Sequence, residues 1–109
     1  MTQRIDINCD LGEDSSDQGV ARDLALMAQI SSCSIACGGH AGSDTSMRRM
    51  VENAISLGLR IGAHPSYPDK ENFGRKSVTL SSSDLMASLN DQISSLKDIV
   101  EGRDAVSYT

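Results

Sequence analysis

Apolar and polar positions switch between two periods along the chain, and the switches mark a repeating unit. From Arg4 to Cys9 they alternate, with Ile5, Ile7 and Cys9 on one side and Asp6 and Asn8 on the other, which is the period of a half-buried strand. A polar loop, Asp14-Ser15-Ser16-Asp17, offers helix caps in its last residues. Val20, Leu24, Met27 and Ala28 then follow helical spacing and predict a helix from about Gly19 to Ile30. Ser32 to Cys37 reads as a second strand, and Asp44, Thr45 or Ser46 as the cap of a second helix carrying Met47, Met50, Val51, Ala54 and Ile55 on one face. Gly58 is placed to end that helix, and Leu59 to Ala63 gives a third strand. After a long loop, Pro65 to Leu80, Ser81 caps a helix whose stripe is Leu85, Leu89, Ile93, Leu96 and Val100 and whose end is Gly102. Ala105 to Thr109 begins a fourth strand.

A strand–helix order repeated in this way predicts an α/β fold built of parallel β/α repeats with right-handed crossovers. A final strand with nothing after it leaves one sheet face poorly covered. The expectation is a single α/β domain over 1–109: four strands with three helices could form an open sheet, but the poorly covered face points to a fragment or to a chain whose missing cover comes from a partner. Exposed strand edges of that kind also predict self-association.

The strand ends carry the chemistry. Asn8-Cys9-Asp10-Leu11-Gly12-Glu13, Cys37-Gly38-Gly39-His40-Ala41-Gly42 and Gly62-Ala63-His64-Pro65 each follow an apolar run. Asp10, Cys37 and His64 are spaced 27 residues apart in each step, and both histidines of the chain lie in these clusters. Parallel strands put all three clusters at the carboxyl end of the sheet, where such folds build their sites.

Length and charge narrow the function classes. The chain has 109 residues, one domain at most and too few for a complete (β/α)₈ barrel of about 250 residues. Its net charge is −5, with no basic run, one Phe, two Tyr and no Trp, which argues against nucleic-acid binding. No apolar run approaches the ~20 residues of a membrane span, and the first residues read as a strand and not as an export signal, so the expected compartment is the cytoplasm. The three cysteines include no CxxC pair and read as small apolar residues kept reduced, with a reactive thiol at Cys37 as the alternative.

Asp10 and Glu13, three apart in the turn after the first strand, suit a metal ligand or general base; the plainer role is capping the turn. His40 sits among glycines that let backbone approach a ligand, and His64 is held extended by Pro65. Asp10, His40 and His64 together suit a facial metal site. Arg75 is either a bidentate anion ligand or a solvated side chain. Gly74-Arg75-Lys76-Ser77 has only the tail of a phosphate-binding loop motif, so the residues alone spell no nucleotide site.

The same clusters, with Ser66-Tyr67-Pro68-Asp69 and Asn72-Phe73-Gly74-Arg75, resemble the LamB/YcsF family, the lactam utilisation proteins that serve as the A subunit of 5-oxoprolinase. The motifs run in order from Ile5 to Arg75. The resemblance implies the N-terminal part of a distorted seven-stranded β/α barrel of the glycoside hydrolase/deacetylase-like kind. It also implies cleavage of 5-oxoproline to L-glutamate with hydrolysis of ATP to ADP and phosphate, in concert with subunits B and C. ATP, with Mg, enters only through this resemblance. Asp10, Glu13, His40 and His64 are then the catalytic candidates, and Asn8, Gly38, Gly39, Asp69 and Arg75 the substrate- or phosphate-binding ones. In place of holding a metal, the two histidines could equally orient a lactam carbonyl and protonate a leaving nitrogen. The chain departs from the family pattern at Ser43 and Asp14, and the family's next motif, Lys-Pro-His-Gly, falls beyond Thr109. Two other functions stay open: a metal-dependent amide hydrolase of deacetylase type, and an inactive shortened paralogue that only binds partner subunits.

Overall fold

A computed structural model describes residues 4–71 and 79–102. Three strands alternate with three helices: β1 (Asn8–Leu11), α1 (Asp17–Met27), β2 (Ser32–Ala36), α2 (Asp44–Leu57), β3 (Arg60–His64) and α3 (Ser82–Gly102). The strands pair in parallel in the order β1-β2-β3, with Asn8 opposite Ser32, Ser32 opposite Arg60, and Ala36 opposite His64. This is the parallel β/α architecture read from the sequence. The fourth strand expected over Ala105–Thr109 lies outside the described residues.

Because side chains alternate across a sheet, its two faces differ in chemistry. One face presents Leu11, Cys33, Ile35 and Ile61 to the helices, where they join Met27 of α1, Met50, Val51 and Ala54 of α2, and Leu96, Ile99 and Val100 of α3 in one core. The other face carries Asn8, Asp10, Ser32, Ser34, Arg60, Gly62 and His64. Asn8 binds across this polar face, donating to the Ser32 hydroxyl at 2.8 Å and accepting from that of Ser34 at 3.0 Å.

The helix ends follow their local chemistry. Ser16 caps α1, accepting from the Gly19 N–H. Ser43, not Asp44, Thr45 or Ser46, caps α2: its hydroxyl accepts from the Ser46 N–H while the Ser46 hydroxyl accepts from the Ser43 N–H, a reciprocal capping box. Gly58 ends α2 at φ +71°, a left-handed conformation that glycine adopts without strain. Ser81 caps α3 through the Asp84 N–H, as its spacing suggests.

Three expectations shift. The first strand begins at Asn8 and not Arg4, and Ile5 and Ile7 are 80% and 48% exposed. The face is the expected one, but cover arrives only toward the carboxyl end, where Cys9 touches the core and Leu11 is fully buried. In α1 the inner line is Gly19, Asp23 and Met27, while Leu24 is exposed, because Asp23 turns inward to accept from the Gly12 N–H at 2.9 Å. In α3 the inner line is Gln92, Leu96, Ile99 and Val100, with Ile93 exposed, because the Gln92 amide occupies a position facing the loop after β3.

Candidate functional site

The parallel register brings the three strand-end clusters together. Glu13 projects from the turn after β1, His40 from the glycine-rich loop after β2, and His64 is the last residue of β3. His40 Nε2 lies 3.4 Å from Glu13 Oε2. His64 Nδ1 lies 3.8 Å from Glu13 Oε1 and 3.7 Å from Asp10 Oδ1. The two imidazole rings are 4.7 Å apart between centroids and tilted by 58°. His40 is buried and the Glu13 side chain mostly so, whereas more than half of the Asp10 side chain is open to solvent. All four catalytic candidates therefore meet in one place. Among the described residues, Glu13, His40 and His64 bring one donor atom each within 4.8 Å of one another, with Asp10 beside them.

Each loop is fixed by its own backbone. Gly12 takes φ +75°, and its N–H is held by Asp23, so a buried carboxylate on α1 sets the turn that presents Glu13. In the second loop Gly38 takes φ +95° and donates to the Ala41 carbonyl at 2.9 Å, while Gly42 takes φ +92° where a Cβ would stand 2.8 Å from the Ala36 carbonyl oxygen. Only glycine fits there without moving backbone. Gly39 accepts from the Asp69 N–H at 3.0 Å, which joins the loops after β2 and β3.

His40 is oriented by residues for which the sequence pattern suggests no role. Its Nδ1 lies 2.9 Å from the Ser66 hydroxyl. Ser66 is clamped from both sides by Gln92: its N–H donates to Gln92 Oε1 at 3.0 Å, and its carbonyl accepts from Gln92 Nε2 at 2.8 Å. A Cβ on Gly39 would stand 2.5 Å from Gln92 Oε1 and 2.8 Å from the Ser66 hydroxyl, so this glycine makes room for the clamp. A polar residue at a core-facing position of the α3 stripe is the one trace of the clamp in the sequence.

The remaining candidates divide. Asn8 lies on the same sheet face as Asp10 and ties β1 to β2. Gly38, Gly39 and Asp69 shape the His40 loop. Arg75 lies outside the described residues. All three cysteines are free. Burial pushes the Cys33 thiol up to about 11 and raises that of Cys37, which donates to the Ile35 carbonyl at 3.1 Å. A buried, protonated Cys37 is a packing residue, not a ready nucleophile. A cleft of about 370 Å³ between α2 and α3, lined by Asp44, Arg48, Ser95, Asp98, Ile99 and Gly102, contains none of the cluster residues.

Comparison with known proteins gives this geometry its relatives. The chain is 45% identical over 104 residues to the 5-oxoprolinase A subunits of Haemophilus influenzae strains PittEE, PittGG and 86-028NP, covering 95% of the chain and 40% of each relative. It thus spans about two-fifths of the length of the curated relatives it matches. The crystal structure of the lactam utilization protein from Thermus thermophilus superimposes with a TM-score of 0.86 at 30% identity, over 96% of this chain and 42% of that one. The fold is thus a parallel β/α portion of that larger architecture. The sequence model of the LamB/YcsF family matches residues 5–107, and the chain belongs to that family.

Proposed function

We propose that this chain works as the A component of a 5-oxoprolinase, opening 5-oxoproline to L-glutamate with hydrolysis of ATP to ADP and phosphate, together with subunits B and C in the cytoplasm. The observation that carries the reading is the meeting of Asp10, Glu13, His40 and His64 at one end of a sheet whose relatives bear the name of the 5-oxoprolinase A subunit. Among the described residues no helix is long and apolar enough to cross a membrane.

An unstrained lactam is a poor electrophile, and ATP changes that. Transfer of the γ-phosphoryl group to the lactam oxygen releases ADP and makes the ring carbon reactive. Water adds to that carbon, the C–N bond breaks, and the nitrogen takes up a proton. A second water releases phosphate and leaves glutamate. In this scheme Asp10 or Glu13 positions and deprotonates water, while His40 and His64 hold the lactam oxygen or its phosphate and supply the proton to nitrogen. ATP binds as the Mg complex, with Asn8, Gly38, Gly39, Asp69 and Arg75 as the ligand-binding candidates.

The test is glutamate release from 5-oxoproline and ATP by this chain mixed with purified subunits B and C. Turnover above that of B and C alone is expected. No turnover, while a full-length relative is active under the same conditions, would refute the reading for this chain.

A further inference from the structure

We propose that Glu13, His40 and His64 form a binding site for one divalent transition-metal ion, with Asp10 at its open side. The site stands whether or not 5-oxoproline is the substrate, because it follows from the donor atoms alone.

Three distances carry the argument. Donors around a tetrahedral ion at about 2.0–2.2 Å lie roughly 3.3–3.6 Å from one another. His40 Nε2 and Glu13 Oε2 are 3.4 Å apart, and His64 Nδ1 is 3.7 and 3.8 Å from Asp10 Oδ1 and Glu13 Oε1. Direct charge-assisted hydrogen bonds between these groups would close to about 2.7–2.9 Å. The spacing is wider than that of ordinary hydrogen bonds; His40 and Glu13 stand at the separation of donors sharing a cation, and one donor atom each from Glu13, His40 and His64 lie within 4.8 Å of one another. His64 Nδ1 is itself a buried atom without a hydrogen-bond partner, and it faces both carboxylates.

The surroundings of His40 agree. The Ser66 hydroxyl donates to the Tyr67 carbonyl at 2.9 Å, so toward His40 it serves as acceptor. His40 Nδ1 then carries a proton, an assignment made from the hydrogen-bond network, and Nε2 is the ring nitrogen that faces Glu13. An imidazole whose far nitrogen is held by a polar group is also the usual support for a metal ligand, here extended to Gln92 through Ser66. Two imidazoles and a carboxylate suit Zn, Co, Mn or Fe better than Mg or Ca, which favour all-oxygen sites. The ion would therefore differ from any Mg carried by ATP.

The experiment uses the 109-residue chain, freed of metal by chelator and titrated with Co²⁺, read by visible absorption and calorimetry and followed by displacement with Zn²⁺. One equivalent is expected, with visible bands that Zn²⁺ abolishes. Glu13→Gln and His64→Asn should each weaken binding at least roughly tenfold, and Ser66→Ala, which removes the support of His40 and a bond to the Tyr67 carbonyl but no ligand, should weaken it less. Asp84→Asn on α3 should leave it unchanged. No saturable binding at millimolar metal, or unchanged affinity in Glu13→Gln and His64→Asn, would overturn the proposal. Should those variants unfold by circular dichroism, the ring resonances of the wild-type chain decide: both His40 and His64 must shift on adding Zn²⁺, and failure of either to shift refutes the site.

Discussion

Replacing Gln92 with alanine removes three hydrogen bonds at once: to the Ser66 N–H, to the Ser66 carbonyl and to the Ser88 hydroxyl. Gln92 is only 7% exposed, so water replaces these partners poorly on the inner side. Each bond contributes about 0.5–1.5 kcal/mol net. Ser66 is half-buried, which returns part of the loss through solvent. The expected destabilisation is roughly 2–3 kcal/mol, or about 10–20 °C in Tm for a domain of this size. Urea and thermal unfolding followed by circular dichroism measure it. Gln92→Glu keeps an acceptor for the Ser66 N–H but turns a second oxygen on the Ser66 carbonyl, so it should not rescue stability. The effect reaches the site as well, because Ser66 without its clamp no longer fixes the His40 ring. A Gln92→Ala chain within about 0.5 kcal/mol of the wild type would refute the reasoning, since that is the range of an ordinary surface change.

Gly39→Ala should destabilise by about 1–3 kcal/mol in the same unfolding assay by driving a methyl group into Gln92 and Ser66, whereas Gly58→Ala meets no atom within 4 Å and should cost only about 1 kcal/mol for its left-handed backbone. Cys33 and Cys37 should resist a thiol reagent at neutral pH until the chain is unfolded, with Cys9, at the edge of the core, reacting first. The folded Cys33 thiol is held near 11 against 9.0 unfolded, so its contribution to stability is complete below about pH 9 and is lost as pH rises toward 11; urea midpoints across that range should fall, and should fall less in Cys33→Ala. Ile5 and Ile7, exposed in the segment leading into the edge strand β1, should drive concentration-dependent self-association by light scattering, which Ile7→Lys reduces; a clean monomer at every concentration would contradict this.

Much of the fold was legible because the period switches are sharp. Of the α2 stripe, Met47, Met50, Val51 and Ala54 are buried as its spacing predicts and Ile55 is half-buried at its edge, and Gly58 ends the helix where a left-handed residue was needed. The even spacing of Asp10, Cys37 and His64 anticipated that their loops meet, because parallel strands share a carboxyl end. Local periodicity was silent about what each helix packs against. Leu24 and Ile93 sit on plausible apolar stripes yet stay exposed, since Asp23 and Gln92 take the inner positions to serve backbone groups of distant loops. Ile5 and Ile7 show the same limit: their alternation is that of a strand, but burial depends on cover that the sequence of β1 does not encode. Position at the strand end points to Asp10 as the carboxylate beside the histidines, whereas the turn at Gly12 brings Glu13 near both His40 and His64 and leaves Asp10 near His64.

On the proposed function, the lactam is opened at the cluster after the three strands. Its most direct test is glutamate released per unit time from 5-oxoproline and ATP, with subunits B and C present, by chains carrying His40→Asn, His64→Asn or Asp10→Ala. The account predicts losses on the order of 10²–10⁴-fold with folding intact. Activity equal to that of the unaltered chain in all three would contradict it.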